Sequence, residues 1–288
     1  MTMTAKQITT GLLLWLGAWG GVTGIRAGDW PTYMHDPQRS GITSEQLGTN
    51  LVPAWVFPRI KKPAAAWADE PKQNSFTAPP LQQPLKTRLV FDRANHVAVA
   101  GDQLFTGSAT EHTLSCLDAD TGEVKWTFFT DGPVRMAPTV EQGRVFIGSD
   151  DGSVYCLEAG GGALHWKYTA AGTTNYLVPN NGHFVSPWAI RTGVAVENGV
   201  AYFAAGIFPH EGVYLCAVDA ATGVRATTNH WQTLHVNQGS FQGYLLLSPT
   251  RVFAPGARSN PFYFNRQTGA LIGQDRKSTR LNSSHTDI

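Results

Sequence analysis

Side chains able to bind or react are spread thinly along this chain and gather around turns. Arg135, Arg191 and Arg258 are candidate cations for an anionic ligand, and His183, Trp188, His210 and Gln242 offer polar or aromatic contacts. Gln238 lies close by, and carboxylates accompany them at Glu111, beside His112, at Asp150-Asp151 and at Glu211, beside His210. None of these residues falls in a catalytic pattern: GxSxG, HExxH and the phosphate-cradling GxxxxGK[ST] are all absent. The nine histidines show no metal-ligand spacing. A His-Glu neighbour pair in a loop is ordinarily surface chemistry. The three cysteines, Cys116, Cys156 and Cys216, form neither CxxC nor CxxCH, which leaves metal clusters and c-type haem unsupported.

The elements that must position these residues are repeated. Val97 to Gly132 and Pro138 to Gly172 superimpose with Gly101 on Gly143, Gly107 on Gly148, Gly122 on Gly162 and Trp126 on Trp166. A third copy runs from Gly193 to Gly223, and a worn fourth contains GYLLLSPTRVFAPG and PFYFNRQTGALIG. The second copy predicts strands over Thr139–Glu141, Arg144–Ile147, Ser153–Leu157 and Ala163–Thr169, separated by Gln142-Gly143, Asp150-Asp151-Gly152 and the glycines before Ala163. Glycine turns supply the positive φ that hairpins need, and the strands alternate as half-buried strands do. Four strands in about 40 residues make one propeller blade, which buries its two faces only against neighbours. Trp126 and Trp166, closing the first two copies, are expected to pack between blades. Cys116 and Cys156 share one slot and read as small buried hydrophobes. Cys216 is one residue out of phase, with Ala217 in that slot, so it is expected to face the other side of its strand.

The expected fold is therefore all-β, an incomplete propeller of four-stranded antiparallel blades over residues 95–275. The string V-x-x-G-x-V-F-x-G-S-x-D-G-x-V-Y-C-L-[DE]-A-x-[TG]-G-x-x-x-W resembles the pyrroloquinoline-quinone (PQQ) repeat. That repeat is shared by quinoprotein alcohol dehydrogenases and by noncatalytic propellers of the bacterial envelope. GDWPTYMHDPQRSGIT, from Gly28 to Thr43, is similar to the lead-in of exported members. The resemblance is specific for fold and weak for activity. It implies more blades than the four copies here, so the ring is not expected to close from this chain alone. For an active quinoprotein it implies a catalytic carboxylate, a calcium site of Glu, Asn and Asp, a Trp beneath the cofactor and a pair of adjacent cysteines. No adjacent cysteines exist here, and no residue can be assigned to catalysis, cofactor or metal.

Outside the repeat, MTMTAK and the apolar run Ile8 to Trp19 read as a signal peptide over 1–27, cleaved after Ala27; an uncleaved anchor is the alternative. The glycines between Gly17 and Gly24 interrupt that run and favour cleavage, which leaves no transmembrane segment and a periplasmic or secreted protein. Residues 28–94 read as an irregular lead-in. Residues 276–288 resemble translated sequencing-adapter read-through, an ordinary polar tail being the alternative. The formal net charge is +1. Setting aside Lys6, Arg26 and the tail's Arg276, Lys277, Arg280 and Asp287, the body carries −3. That offers no footprint for nucleic acid.

Antiparallel connectivity places the middle-hairpin turns and the blade-to-blade connections on one face of the propeller. That face collects Arg135, His183, Trp188, Arg191, His210, Gln242 and Arg258. It is either the mouth of a ligand site or a solvated polar rim. The connection between the second and third copies is lengthened around Ala170 to Ile190, with Tyr176, His183, Phe184 and Trp188, and is either a functional loop or a packed decoration. The reading that follows is an exported noncatalytic platform for an envelope protein, a glycan or a small ligand. The alternative is a PQQ- and calcium-dependent alcohol or sugar dehydrogenase whose site lies in further blades.

Overall fold

The computed structural model describes residues 28–58, 96–180, 183–225, 227, 229–235, 239–256 and 259–275. The expected signal peptide and C-terminal tail, most of the Pro- and Lys-rich part of the lead-in, Gln238 and Arg258 lie outside them. The described residues are all-β, with one 3₁₀ turn at Gly172–Thr174.

Four sheets of four strands follow in chain order, each a simple antiparallel meander. Blade I comprises β1 (Val97–Ala100), β2 (Gln103–Ser108), β3 (Thr113–Asp118) and β4 (Val124–Phe129). Blade II comprises β5 (Thr139–Glu141), β6 (Arg144–Gly148), β7 (Ser153–Glu158) and β8 (Leu164–Thr169). After the hairpin β9 (Val178–Asn180) and β10 (His183–Val185), blade III runs through β11 (Ala195–Glu197), β12 (Val200–Ala205), β13 (Val213–Asp219) and β14 (Trp231–His235). Blade IV is β15 (Leu246–Leu247), β16 (Arg251–Ala254), β17 (Phe262–Asn265) and β18 (Leu271–Gln274). The four strands expected in the second copy match β5 to β8 to within a residue at each end.

The turn between the third and fourth strands shows why the repeat keeps its sequence. Asp118 accepts hydrogen bonds from the backbone N–H groups of Asp120 and Thr121, Asp219 from those of Ala221 and Thr222, and Asn265 from those of Gln267 and Thr268. The acceptor closes an Asx turn that ends on a glycine, Gly122, Gly223 or Gly269, with φ near +70°. The tryptophan of the preceding blade lies on the turn glycine, including Gly162 of blade II, where Glu158 takes the place of the Asx residue. A Cβ would stand 2.7 Å from the Trp126 ring at Gly162, 2.6 Å from Trp166 at Gly223 and 2.3 Å from Trp231 at Gly269. Each indole N–H donates to a carbonyl of the same turn: Trp126 to Ala159 at 3.0 Å, Trp166 to Ala220 at 3.1 Å and Trp231 to Arg266 at 3.0 Å. Trp126 and Trp166 are the two tryptophans that the repeat singles out in sequence. Trp231 does the same work, hidden in sequence by the length of the preceding connection.

Between the blades lie three apolar clusters. Phe105, Leu114, Cys116, Val145 and Leu157 fill the space between blades I and II, and Phe146, Cys156, Ile190, Phe203 and Cys216 that between II and III. Tyr202, Ala217, Leu247, Val252 and Phe264 fill the space between III and IV. Cys116 and Cys156 thus face the following blade and Cys216 the preceding one, as its register requires. All three thiols are free and buried; burial pushes Cys116 up to about 11 and Cys156 up to about 12, and raises Cys216 as well.

The lead-in is less irregular than its composition suggests. Residues 28–41 touch the innermost strand of all four blades. Trp30 bridges Val99 of β1, Pro31 accepts from the Val140 N–H of β5, Gln38 donates to Glu197 of β11, and Pro37 accepts from the Leu247 N–H of β15. Three non-glycine residues of this thread, Met34, His35 and Arg39, hold left-handed φ between 54° and 76°. Such strain persists only where neighbours over-determine the path. Further along, Trp55 donates to the Ala119 carbonyl at 3.0 Å and covers Gly122, whose Cβ would be 2.6 Å from its ring. That repeats the contact of Trp126, Trp166 and Trp231, so Trp55 stands where the outer strand of a blade preceding blade I would place its tryptophan.

Candidate functional site

The face built from middle-hairpin turns and blade-to-blade connections, here the upper face, brings three charged residues together. Arg135 lies between blades I and II, Asp150 in the middle hairpin of blade II, and Arg191 between blades II and III. The Asp150 carboxylate accepts from Arg135 Nε at 2.7 Å and from Arg191 Nε and Nη2 at 3.0 and 2.9 Å. All three side chains are at most 7% exposed. Burial alone would raise the Asp150 carboxyl, but the Arg191 and Arg135 charges outweigh it and hold the group below its ordinary value. Backbone bonds lock the loops that carry them: Asp150 N–H to Pro133, Ser186 N–H to Asp150, and Ile190 N–H to Ser149. Next door, Asp151 accepts from the Ser153 N–H at 2.8 Å and the Tyr155 hydroxyl at 2.6 Å. Both carboxylates of this turn therefore hold the scaffold.

The other expected face residues fall around this cluster. Trp188 is 7% exposed, with its ring edge-to-face on Tyr176 at 5.6 Å and tilted to Tyr214. It is a packing residue of the insert, and its buried indole N–H has no hydrogen-bond partner among the described residues. His210 is 70% exposed and lies 3.6 Å from Glu211. Gln242 is half-buried, its backbone N–H bonded to the Pro255 carbonyl. His183 is paired to Asn180 in the β9–β10 ladder, and Arg258 lies outside the described residues. The insert is thus a short β-ribbon seated by Val185, Ala189 and Ile207. Tyr176, Leu177 and Phe184 remain exposed, Phe184 by 63%.

Toward the axis, an aromatic group that the sequence reading missed lies beneath this face. Tyr33 of the thread stacks on Tyr244 with ring centroids 3.7 Å apart, and His96 stands edge-on to both at 5.6 Å. The Tyr244 hydroxyl accepts from the Ala137 N–H at 2.7 Å. Arg39 lies over the Tyr244 ring and donates to Leu245, Thr32, Tyr33 and Asp36. Burial pulls Arg39 down to about 10, still a full cation at neutral pH, and lowers His96, which favours the neutral imidazole. The aromatic residues were visible in GDWPTYMHDPQRSGIT and before LLL, but nothing in spacing joins Tyr33 to Tyr244.

The family of PQQ-like repeats described as outer membrane protein assembly factor BamB matches residues 66–181 and 140–286. The chain belongs to this family. A polyvinylalcohol dehydrogenase from a Pseudomonas species is 28% identical over 179 residues, which is 58% of this chain and 25% of that protein. Among solved structures, the quinohemoprotein alcohol dehydrogenase of Comamonas testosteroni matches with a TM-score of 0.56 at 13% identity, covering 87% of this chain and 41% of that one. The quinohemoprotein alcohol dehydrogenase of Pseudomonas putida HK5 matches with a TM-score of 0.50 at 15% identity, covering 63% and 34%. At such identities the structural likeness is one of fold. The chain spans about a quarter of the dehydrogenase it matches in sequence.

A quinone–calcium centre needs several oxygen ligands converging on one ion. Among the described residues no three His, Cys, Asp or Glu side chains are grouped to hold a metal. Asp150 and Asp151 are committed to guanidinium, hydroxyl and backbone partners, and the three thiols are buried in blade interfaces, Cys116 between blades I and II and Cys156 and Cys216 between II and III. The described residues do not fit that centre. Among them, no helix is long and apolar enough to cross a membrane.

Proposed function

We propose that this chain is part of an exported, noncatalytic PQQ-like propeller that serves as a binding or assembly platform in the bacterial envelope. The observation that carries the reading is the upper face of blades II and III. Arg135, Asp150 and Arg191 are engaged in fixing the loops there, while the β9–β10 ribbon beside them presents Tyr176, Leu177 and Phe184 to solvent. A rigid base with exposed aromatic and aliphatic side chains suits a protein partner. Membership of the BamB-described family supports the envelope setting, with cleavage of residues 1–27 giving a periplasmic or secreted protein. Arg258, His183, His210 and Gln242 are proposed contacts around the ribbon, for a protein, a glycan or a small ligand. Arg135 and Arg191 contribute there through the loops they fix with Asp150, and Trp188 as the support of the ribbon.

The test uses the full-length protein supplied with PQQ and calcium in a dye-reduction assay with alcohols and sugars. No reduction is expected, together with photo-crosslinking from position 184 to an outer-membrane protein. Turnover would overturn the platform reading in favour of a quinoprotein dehydrogenase, a second reading that the match to a polyvinylalcohol dehydrogenase favours.

A further inference from the structure

On the opposite, lower face, a cavity of about 440 Å³ opens between blades III and IV beside the thread. That volume lies in the ~300–1,000 Å³ range of small-molecule sites. Its wall carries one guanidinium and one carboxylate, and these cancel. Arg266 Nη1 is 2.5 Å from Glu197 Oε2, and Arg266 also donates to the Tyr202 hydroxyl at 3.1 Å and the Ser248 carbonyl at 2.9 Å. The pair is well supported: Arg266 is 9% exposed and its guanidinium lies 5.1 Å from the centre of the Tyr202 ring. The remaining polar wall is amide. Asn198, Asn229 and Gln267 stand exposed around the opening, and Gln38 reaches in from the thread to donate to Glu197. Val200 and Pro249 supply an apolar strip on the same wall.

We infer that this cavity binds a neutral polyhydroxylated ligand, a short oligosaccharide. A planar amide sets a donor beside an acceptor, the pattern that neighbouring hydroxyls of a sugar present in turn. The Glu197 carboxylate accepts two hydrogen bonds already and can accept more from hydroxyls. Val200 and Pro249 match the C–H face of a pyranose ring. A net-neutral wall gives no advantage to an anionic ligand. The site lies on the other face from the β9–β10 ribbon and does not depend on what that ribbon binds.

The experiment is calorimetric titration of the full chain with maltotetraose and chitotetraose as neutral probes and tetragalacturonate as the anionic one. At least one neutral tetrasaccharide is expected to bind, more tightly than tetragalacturonate. The double variant Asn229→Ala/Gln267→Ala removes two rim amides and leaves the Arg266–Glu197 pair intact. It should weaken binding about tenfold, the effect of losing two modest hydrogen bonds, with an unchanged unfolding transition. Absence of binding by both neutral probes overturns the inference, as does tighter binding of tetragalacturonate or an affinity untouched by the double variant.

Discussion

The blades and the thread solve the same problem in opposite ways. In the blades, repeated local sequence does nearly everything: a tight turn headed by Glu158, Asp219 or Asn265, a glycine at positive φ and the tryptophan of the preceding blade seal each interface. Residues 28–58 have no local regularity, yet Trp55 makes the same indole-to-carbonyl contact and Arg39 ties together Leu245, Thr32, Tyr33 and Asp36. One region is specified by repetition and the other by its surroundings. The blades should therefore lose stability globally when damaged, and the thread locally.

The largest effect is expected at Trp166, which is 8% exposed. Trp166→Ala opens a cavity between blades II and III and leaves the Ala220 carbonyl only the weak Cys156 thiol as a donor. A loss of about 3–5 kcal/mol is expected in denaturant unfolding. Asp150→Asn follows, at about 3 kcal/mol, because it leaves two buried guanidiniums facing a neutral amide. The same group gives a pH signature. Its folded pKa lies below the ordinary carboxylate value, so its contribution is complete above about pH 4 and is lost as pH falls through the folded value. Wild-type stability should drop in acid more steeply than that of Asp150→Asn, a difference visible in unfolding midpoints between neutral pH and pH 3. If Asp150→Asn proved neutral, the upper face would be looser than its hydrogen bonds indicate.

How much of this was legible in the sequence follows the same division. The strands of blade II could be read to within a residue because glycine turns and alternation are local signals. Trp126 and Trp166 were legible by their spacing, whereas Trp231 was displaced by the connection before β14, and Trp55 had no repeat around it. Connectivity assigned Arg135, Asp150 and Arg191 to one face, and the three side chains meet. It could not show that both guanidiniums converge on the one Asp150 carboxylate, since that depends on how the insert folds back to bring Arg191 to blade II. The same reading left Trp188 either a contact of that face or part of a packed decoration; it is buried against Tyr176 and Tyr214. The lower cavity went unnoticed because its rim is made of ordinary turn residues, Asn198, Asn229 and Gln267, that acquire meaning only beside Arg266.

Smaller effects separate thread from blades. Trp55→Ala should cost about 1–2 kcal/mol, less than Trp166→Ala, because Trp55 is only half-buried and its contact closes no interface between two described blades. An equal loss at the two positions would mean that the thread is as integral to the propeller as a blade.

The smallest and most discriminating change is Arg39→Lys. The ammonium keeps the charge but cannot reproduce the guanidinium fork, which donates through Nε to Leu245 and through Nη1 to Thr32, Tyr33 and Asp36. A loss of about 1 kcal/mol is expected, and where in the fold it falls distinguishes thread from blades. Native-state hydrogen exchange gives the readout. The Val140 and Leu247 amides, which donate to Pro31 and Pro37 of the thread, should exchange faster. The Phe146 and Cys156 amides, inside the blade II ladder, should keep their protection. Left-handed φ at Met34, His35 and Arg39 sharpens the expectation, since a strained path relaxes once its anchor weakens. Uniform loss of protection across both sets would show that thread and blades open as one cooperative unit.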